Sequence, residues 1–291
     1  MKPFELLEPK TLDEAIALLD PADSSVRALA GGTALMLMMK ARLFQPTRLV
    51  SLHRLNDSLR GVRPSADGGL SIGALTSLRD LERSSAIATS TPVITRTLTT
   101  LANVRIRNVA TIGGHLAHGD PHMDLPPILL TMQARIRAVS SRGERWIDMS
   151  DLFVGYYQTT LAKDELIAEL VIPPQPKDVC DAYAKCTALS ADDWPAVGVA
   201  VSYRLQEGLV TDARIAISAA TERPMRSFAA EAALAGSTAE PAAFARAADA
   251  AAQQVETFAD IRGSASYKRE MVRVYVRRAL ERAWHSRSDA Q

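Results

Sequence analysis

The sequence predicts an α+β protein, built as two small α/β units in series followed by a C-terminal α+β domain. Three observations carry that reading. Two apolar segments each run into a Gly-Gly turn with a hydroxyl residue beside it, Ala30-Gly31-Gly32-Thr33 and Thr111-Ile112-Gly113-Gly114-His115. A proline-rich break, Pro173-Pro174-Gln175-Pro176, then interrupts the regular pattern. Beyond it the order of elements changes from mixed strands and helices to a hairpin followed by Ala-rich helices. The expected units are residues 1–57, 58–176 and 177–291.

The elements follow from local signals. Thr11-Leu12-Asp13-Glu14 has capping-box spacing and opens an amphipathic helix with Leu12, Ala15, Ile16 and Leu19 on one side, closed by Pro21. Val26 to Ala30 reads as a short buried strand, Ala34 to Arg42 as the helix after the first turn, and Leu49 to Leu52 as the next strand. Asp67-Gly68-Gly69 signals a tight turn before a strand at Leu70 to Ala74, and Ser77 with Asp80 caps a helix. A helix from Pro92 to Leu101 precedes the lead-in Val104 to Asn108, and Pro126-Pro127 starts another. Alternating segments at Ala134 to Val139, Arg145 to Asp148 and Glu165 to Ile172 complete the second unit. Val197 to Tyr203 and Ala213 to Ala219, joined through Glu207-Gly208, form an antiparallel hairpin. Ala-rich helices from Ser227 to Phe258 and a last helix from Ser266 to Trp284 follow it.

Charge and cysteine usage exclude several classes. Lys plus Arg number 34 against 33 Asp plus Glu, so no large field recommends nucleic acid or an anionic membrane as partner. Basic residues gather between Lys268 and Arg282, at a helical spacing that reads as a solvated face or a docking surface. No apolar run is long enough to span a bilayer, and the N-terminus has no secretory pattern. Cys180 and Cys186 are the only cysteines, which fits a reducing compartment and leaves too few thiols for a four-cysteine zinc or iron–sulfur site.

The Gly-Gly turns are the candidate chemistry. Neither has the spacing of a dinucleotide fingerprint or a phosphate loop ending in Gly-Lys-Ser/Thr. Each can nonetheless turn backbone N–H groups toward an anion, and two of them suggest a ligand with two linked phosphates held between separate segments. Thr33 can donate to phosphate or cap its helix, Thr111 and the amides around Gly113 and Gly114 are candidates for the other phosphate, and Asp124 for ribityl or ribose hydroxyls. His115, His118 and His122 stand among Asp120 and Asp124 and invite a metal reading. Gly119 and Pro121 place them in an irregular loop without H-E-x-x-H spacing, which favours polar or ligand-facing histidines over a metal site. There is no G-x-S-x-G elbow and no histidine near either cysteine, so catalytic residues of the chain's own are not assigned, and the pattern fits a protein whose chemistry is done by a bound cofactor.

At these residues the chain resembles the flavin-binding medium subunits of molybdenum hydroxylases, the family of carbon monoxide dehydrogenase, quinoline oxidoreductase and the flavin domain of xanthine dehydrogenase. Ala30-Gly31-Gly32-Thr33-Ala34-Leu35 is similar to the family's first flavin motif and Arg107-Asn108-Val109-Ala110-Thr111-Ile112-Gly113-Gly114 to its second. Asp164 to Ile172, Tyr183-Ala184-Lys185, Asp192-Asp193-Trp194-Pro195 and Ser266-Tyr267-Lys268-Arg269 extend the resemblance nearly end to end. It implies a vanillyl-alcohol-oxidase-type (PCMH-like) fold holding FAD without a covalent link. By the same resemblance Ala28, Leu29, Ala30, Gly31, Gly32, Thr33, Ala34 and Leu35 would wrap the pyrophosphate. Ala110, Thr111, Gly113, Gly114, His115, Asp120 and Asp124 would complete the cradle, with Ile167 packed near the flavin ring and Lys185 close to it. Two positions depart from the family pattern: His115 replaces a usual asparagine, and Leu189 stands where an arginine often follows the lysine. The implied role is a cytoplasmic electron-transfer subunit. It takes electrons from a small [2Fe-2S] subunit, itself supplied by a large molybdopterin-binding subunit, and passes them to an external acceptor from within a dimer of heterotrimers. A self-contained flavin oxidase of the same superfamily and a flavin-free scaffold are the alternatives.

Overall fold

Strand β1 (Glu5–Leu7) leads to Thr11, whose side chain accepts the Glu14 N–H at 3.1 Å and starts α1 (Leu12–Ala17). Then follow β2 (Val26–Leu29), α2 (Thr33–Lys40) and β3 (Arg48–Ser51). The three strands form a parallel sheet in the order β1-β3-β2, with Leu49 and Val50 of the central strand fully buried. Only Val26 of β2 is buried, because β2 is the edge strand and its far end borders a cavity. The computed structural model describes residues 2–55 and 59–288, so the boundary expected at 57/58 lies outside the described residues.

The second sheet is antiparallel. Strands β4 (Val62–Pro64) and β5 (Leu70–Gly73) precede a run of short helices: α3 (Leu78–Arg83), α4 (Ser85–Ser90), α5 (Pro92–Leu98), α6 (Val104–Val109), α7 (Ile112–His118) and α8 (Leu125–Thr131). Ser77, Ser84, Asn103 and Thr111 each accept an N–H from the third residue of the helix they cap. The lead-in to the second Gly-Gly turn is therefore a helix, α6, whereas the first turn leaves a strand. Arg107 pins α6, its guanidinium meeting Glu82 Oε2 at 2.8 Å and the Leu101 carbonyl at 3.0 Å. The chain continues through β6 (Arg135–Ser140), β7 (Gly143–Asp148), α9 (Met149–Leu152), the small hairpin β8 (Phe153–Gly155) and β9 (Gln158–Thr159), and β10 (Leu166–Ile172). The sheet order is β4-β5-β10-β6-β7, and its main core joins Leu70, Ile72, Ile136 and Leu170 to Leu98, Ile112 and Ile128 of the helices.

The C-terminal sheet runs β11 (Cys180–Cys186), β12 (Val197–Gln206), β13 (Leu209–Ser218) and β14 (Met225–Arg226), all antiparallel. Glu207 and Gly208 form the β12–β13 turn at positive φ, 53° and 81°. Helices α10 (Phe228–Leu234), α11 (Pro241–Gln254) and α12 (Ala265–Ser288) cover one face. Small residues let them approach: Ala247, Ala248 and Ala251 of α11 share a core with Val272, Val276 and Ala279 of α12. The basic stretch of α12 is not uniformly solvated, since Lys268 is fully buried. Phe244 fills this core beside Tyr203, their ring centroids 6.4 Å apart. Phe244→Ala is expected to cost about 3–5 kcal/mol of stability by leaving a cavity, read as a lowered midpoint in urea unfolding.

Candidate functional site

The two Gly-Gly turns meet. Gly31 lies so close to the end of α6 that a Cβ there would fall 2.1 Å from the Val109 carbonyl oxygen, and a Cβ on Gly114 would stand 3.4 Å from that of Ala30. Gly32 takes φ +68° as the N-cap of α2, a conformation that glycine alone adopts without strain. Around this junction lies a cavity of about 950 Å3, bordered by both turns, by the β8–β9 hairpin and by the Asp192-Asp193-Trp194 loop of the C-terminal domain.

The turns differ in what their backbone offers. At the second, Ile112 N–H donates to Thr76 at 3.0 Å, Gly113 N–H to Ala74 at 2.8 Å, Gly114 N–H to Thr111 Oγ1 at 3.1 Å and His115 N–H to Thr111 O at 2.8 Å. Those amides are spent on the fold. At the first turn, the N–H groups of Ala30, Gly31, Gly32, Thr33, Ala34 and Leu35 donate to no other group among the described residues. Six successive unpaired donors, three of them the first turn of α2, make the anion-binding wall of the cavity.

Of the residues expected at the site, Ala28, Leu29, Ala30, Gly31, Gly32, Thr33, Ala34, Leu35, Ala110, Thr111, Gly113, Gly114, His115, Asp120, Asp124 and Ile167 all border the cavity. Ile167 is turned to it at a bulge in β10, where Ala168 has no partner in the β6 register. Lys185 does not border it. Its ammonium sits behind Asp124, 3.0 Å from Oδ2, and also donates to the Thr100 and Asp193 carbonyls at 2.9 and 3.2 Å. Tyr183 donates to the other Asp124 oxygen at 2.6 Å, so this carboxylate is already satisfied within the protein. Burial pushes the Asp124 carboxyl up against the opposing pull of Lys185 and Tyr183, and burial followed by Asp124 carries the Tyr183 phenol well above its ordinary value. Leu189, the second departure from the family pattern, is almost fully exposed at 90% on the β11–β12 connection.

Tyr157 borders the cavity without having been singled out by sequence, whereas Trp194 was read only as part of a motif and His122 only as one of the loop histidines. Tyr157 has φ 55°, and its hydroxyl donates to Asp120 at 3.0 Å. Arg262 stacks on Trp194 at 5.3 Å. His122 is held between Asp120 and Asp260, and His118 packs edge-on to Tyr157 at 5.1 Å. His115 has the opposite character. Its Nε2 is buried without a partner, and burial, followed by the nearby His118, pulls its ring down to about 4. The free amides, the orphaned His115 nitrogen and the largely apolar lining of Leu101, Ile106 and Leu161 fit a ligand with a diphosphate and large flat rings.

The whole chain is similar to known proteins. Residues 2–175 match the FAD binding domain in molybdopterin dehydrogenase and residues 182–283 the CO dehydrogenase flavoprotein C-terminal domain. The carbon monoxide dehydrogenase medium chain of Hydrogenophaga pseudoflava is 34% identical, with 97% of each chain covered. The glyceraldehyde dehydrogenase medium chain of Sulfolobus acidocaldarius is 30% identical, over 96% of this chain and 97% of that one. A solved carbon monoxide dehydrogenase from Hydrogenophaga pseudoflava, lacking the Mo-pyranopterin moiety, superposes with a TM-score of 0.94 at 36% identity, covering 98% of both chains. The chain therefore belongs to the family of FAD-binding medium subunits of molybdenum hydroxylases, an oxidoreductase family.

Proposed function

We propose that this chain is the electron-transfer subunit of a multi-subunit molybdenum hydroxylase, with FAD seated in the cavity between the two Gly-Gly turns. The observation that carries the reading is the run of free N–H groups from Ala30 to Leu35 on the cavity wall. They bind the diphosphate, aided by the positive end of α2, while Gly31 holds that wall against α6. The second turn contributes shape and the Thr111 hydroxyl, whose proton is free to donate while its oxygen accepts from Gly114. Ile167, Leu161 and Ile106 offer an apolar surface to the flavin ring. Asp124, fixed by Lys185 and Tyr183, gives that surface a rigid polar edge.

FAD supplies the redox chemistry, accepting electrons and releasing them to an external acceptor. The protein's part is to hold the cofactor and to exclude water from it, and no side chain is assigned a proton-transfer step. The relatives are named as medium chains or medium subunits, which supports a larger and a smaller partner; on this reading they are a molybdopterin-binding and a [2Fe-2S] subunit, arranged with this chain as a dimer of heterotrimers. Cys180 and Cys186 are buried and form no disulfide, which is in keeping with the cytoplasm, and no helix among the described residues is long and apolar enough to cross a membrane.

Purified alone, the subunit is expected to be yellow and to leave organic substrates unoxidised, gaining turnover only when co-expressed with its partners. Turnover by the isolated chain would instead identify a self-contained oxidase, and a colourless preparation that takes up no added FAD a scaffold. Gly31→Ala forces the two turns apart and is expected to weaken FAD binding by about 2 kcal/mol, more than tenfold, read as the 450 to 280 nm absorbance ratio after dialysis. Gly114→Ala, whose nearest obstacle is a hydroxyl at 3.0 Å, has the smaller effect.

His115 yields a pH prediction. Folding lowers its ring from 6.5 to about 4, so it stabilises the native state above pH 6.5 and that contribution is lost as pH falls toward 4. The full loss is on the order of 3 kcal/mol. Denaturant unfolding between pH 7 and 4 should show this acid-side decline, and His115→Asn should flatten it.

A further inference from the structure

A line of paired polar groups runs from the cavity into the C-terminal domain. Tyr157 on the hairpin donates to Asp120 Oδ2 at 3.0 Å, and Asp120 Oδ1 lies 2.8 Å from His122 Nδ1. His122 Nε2 lies 2.9 Å from Asp260 Oδ2, which also receives Lys268 Nζ at 2.8 Å. Tyr157, Asp120 and His122 border the cavity, whereas Asp260 and Lys268 belong to the C-terminal domain. His122 is 3% exposed and Lys268 0%.

The proton count is informative. A neutral imidazole has one N–H and one bare nitrogen, so between two carboxylates one contact would set lone pair against lone pair. Each carboxylate is claimed by other donors. Asp120 also accepts the His122 backbone N–H at 2.9 Å and the Tyr157 hydroxyl, and Asp260 accepts the Arg262 backbone N–H at 2.8 Å and the Lys268 ammonium. Burial works against ionising them, yet hydrogen bonds prevail, led by the His122 ring at Asp120 and by Lys268 and then the His122 ring at Asp260, holding Asp120 below its ordinary value and Asp260 down to about 2. With both carboxylates placed as acceptors on opposite sides of the imidazole, the proton that the second ring contact needs belongs on the ring.

We propose that His122 carries both ring protons and acts as a positioning residue, clasping Asp120 at the cavity wall to Asp260 of the C-terminal domain and so holding the Tyr157 hairpin over the cofactor. The surroundings suit a fixed cation. The ring lies edge-on to Tyr156 and Phe258 at 6.4 and 6.1 Å, and Lys268 sits on the other contact of Phe258 at 4.0 Å from its centroid. With the ring protonated, His122, Lys268 and Arg262, whose Nη1 stands 4.0 Å from Asp260 Oδ2, face the two carboxylates. The base of the hairpin is fixed by Phe153, which is buried in the core and whose carbonyl accepts from Arg223 at 3.1 Å, while at its tip Gly119 at φ +68° lets it approach, a Cβ there meeting Gln158 N at 3.2 Å. With the clasp broken, Tyr157 at positive φ loses the Asp120 anchor that keeps it folded over the cavity.

The inference rests on the reading of this cavity as the FAD site, and its test separates the two. FAD-loaded wild-type protein and His122→Ala are diluted, and release is followed as free-flavin fluorescence. The variant is expected to release FAD on the order of tenfold faster. Added imidazole should restore slow release, whereas 1-methylimidazole, which fills the same hole but cannot donate from both nitrogens, should not. An unchanged rate, or equal rescue by both compounds, overturns the proposal. If His122→Ala does not fold, the wild-type protein decides, labelled with 15N-histidine and with the His122 ring identified through its contacts to Tyr156 and Phe258. A ring with two N–H groups at pH 7 supports the clasp and a ring with one overturns it. Neither result depends on flavin occupancy, so a wild-type protein without FAD would remove the site assignment and leave the protonation question answerable.

Discussion

Everything at this site depends on the approach of one glycine to one carbonyl. Gly31 sits against Val109 and Ala110 with no space for a side chain, and that contact brings the end of an edge strand to the junction of two short helices. It determines which face of the first turn is left open. Residues Ala30 to Leu35 border the cavity, and their N–H groups find no partner among the described residues. Unpaired donors of this kind are costly when shielded from water, so the site is suited to an anion that can satisfy several of them together.

The two turns look alike in sequence and do different work. Thr111 caps α7 by accepting the Gly114 N–H, and Gly113 is tied to Ala74, so the second pair of glycines is there to let α7 pack on the β5 end. At Gly113 a Cβ would meet Ala74 Cβ at 2.7 Å, whereas at Gly32 the need for glycine comes from the left-handed backbone. A Gly-Gly motif therefore means close approach in one case and a turned backbone in the other. That distinction was not legible in sequence, because it depends on which strand end each turn meets.

Much else was legible, where the signal was local. The caps at Thr11 and Ser77, the Pro126-Pro127 start of α8 and the Glu207-Gly208 hairpin act through neighbours a few residues away. The turn residues of the cavity were readable through motif resemblance, whereas Tyr157 of the hairpin was not and Lys185 lies behind Asp124. Strand β11 was harder, since Cys180 to Cys186 is short and its apolar alternation is broken by Asp181 and Lys185. Those two charges make sense only with their distant partners: Asp181 pairs with Arg96 at 2.9 Å and Lys185 with Asp124 at 3.0 Å. Lys268 was obscured in the same way, a buried lysine among solvent-facing basic residues of α12.

These buried charges share one arrangement, in which a carboxylate at the cavity side is met by groups delivered from the C-terminal domain. Lys185 and Tyr183 reach Asp124, and Asp260 with Lys268 reaches His122 and Asp120. Desolvating such groups offsets most of their mutual attraction, so the pairs add little net stability compared with an apolar contact of equal size. Their value lies in the penalty for misplacement: a shift of the C-terminal sheet leaves a buried carboxylate without its cation, at a cost of several kcal/mol. An apolar interface tolerates sliding, whereas this one has a single register. Two such pairs, on either side of the Asp120 to Asp124 loop, fix that loop in both position and rotation, and with it the polar edge of the cavity. The C-terminal domain thus contributes few walls to the site and most of the constraints that keep those walls in place.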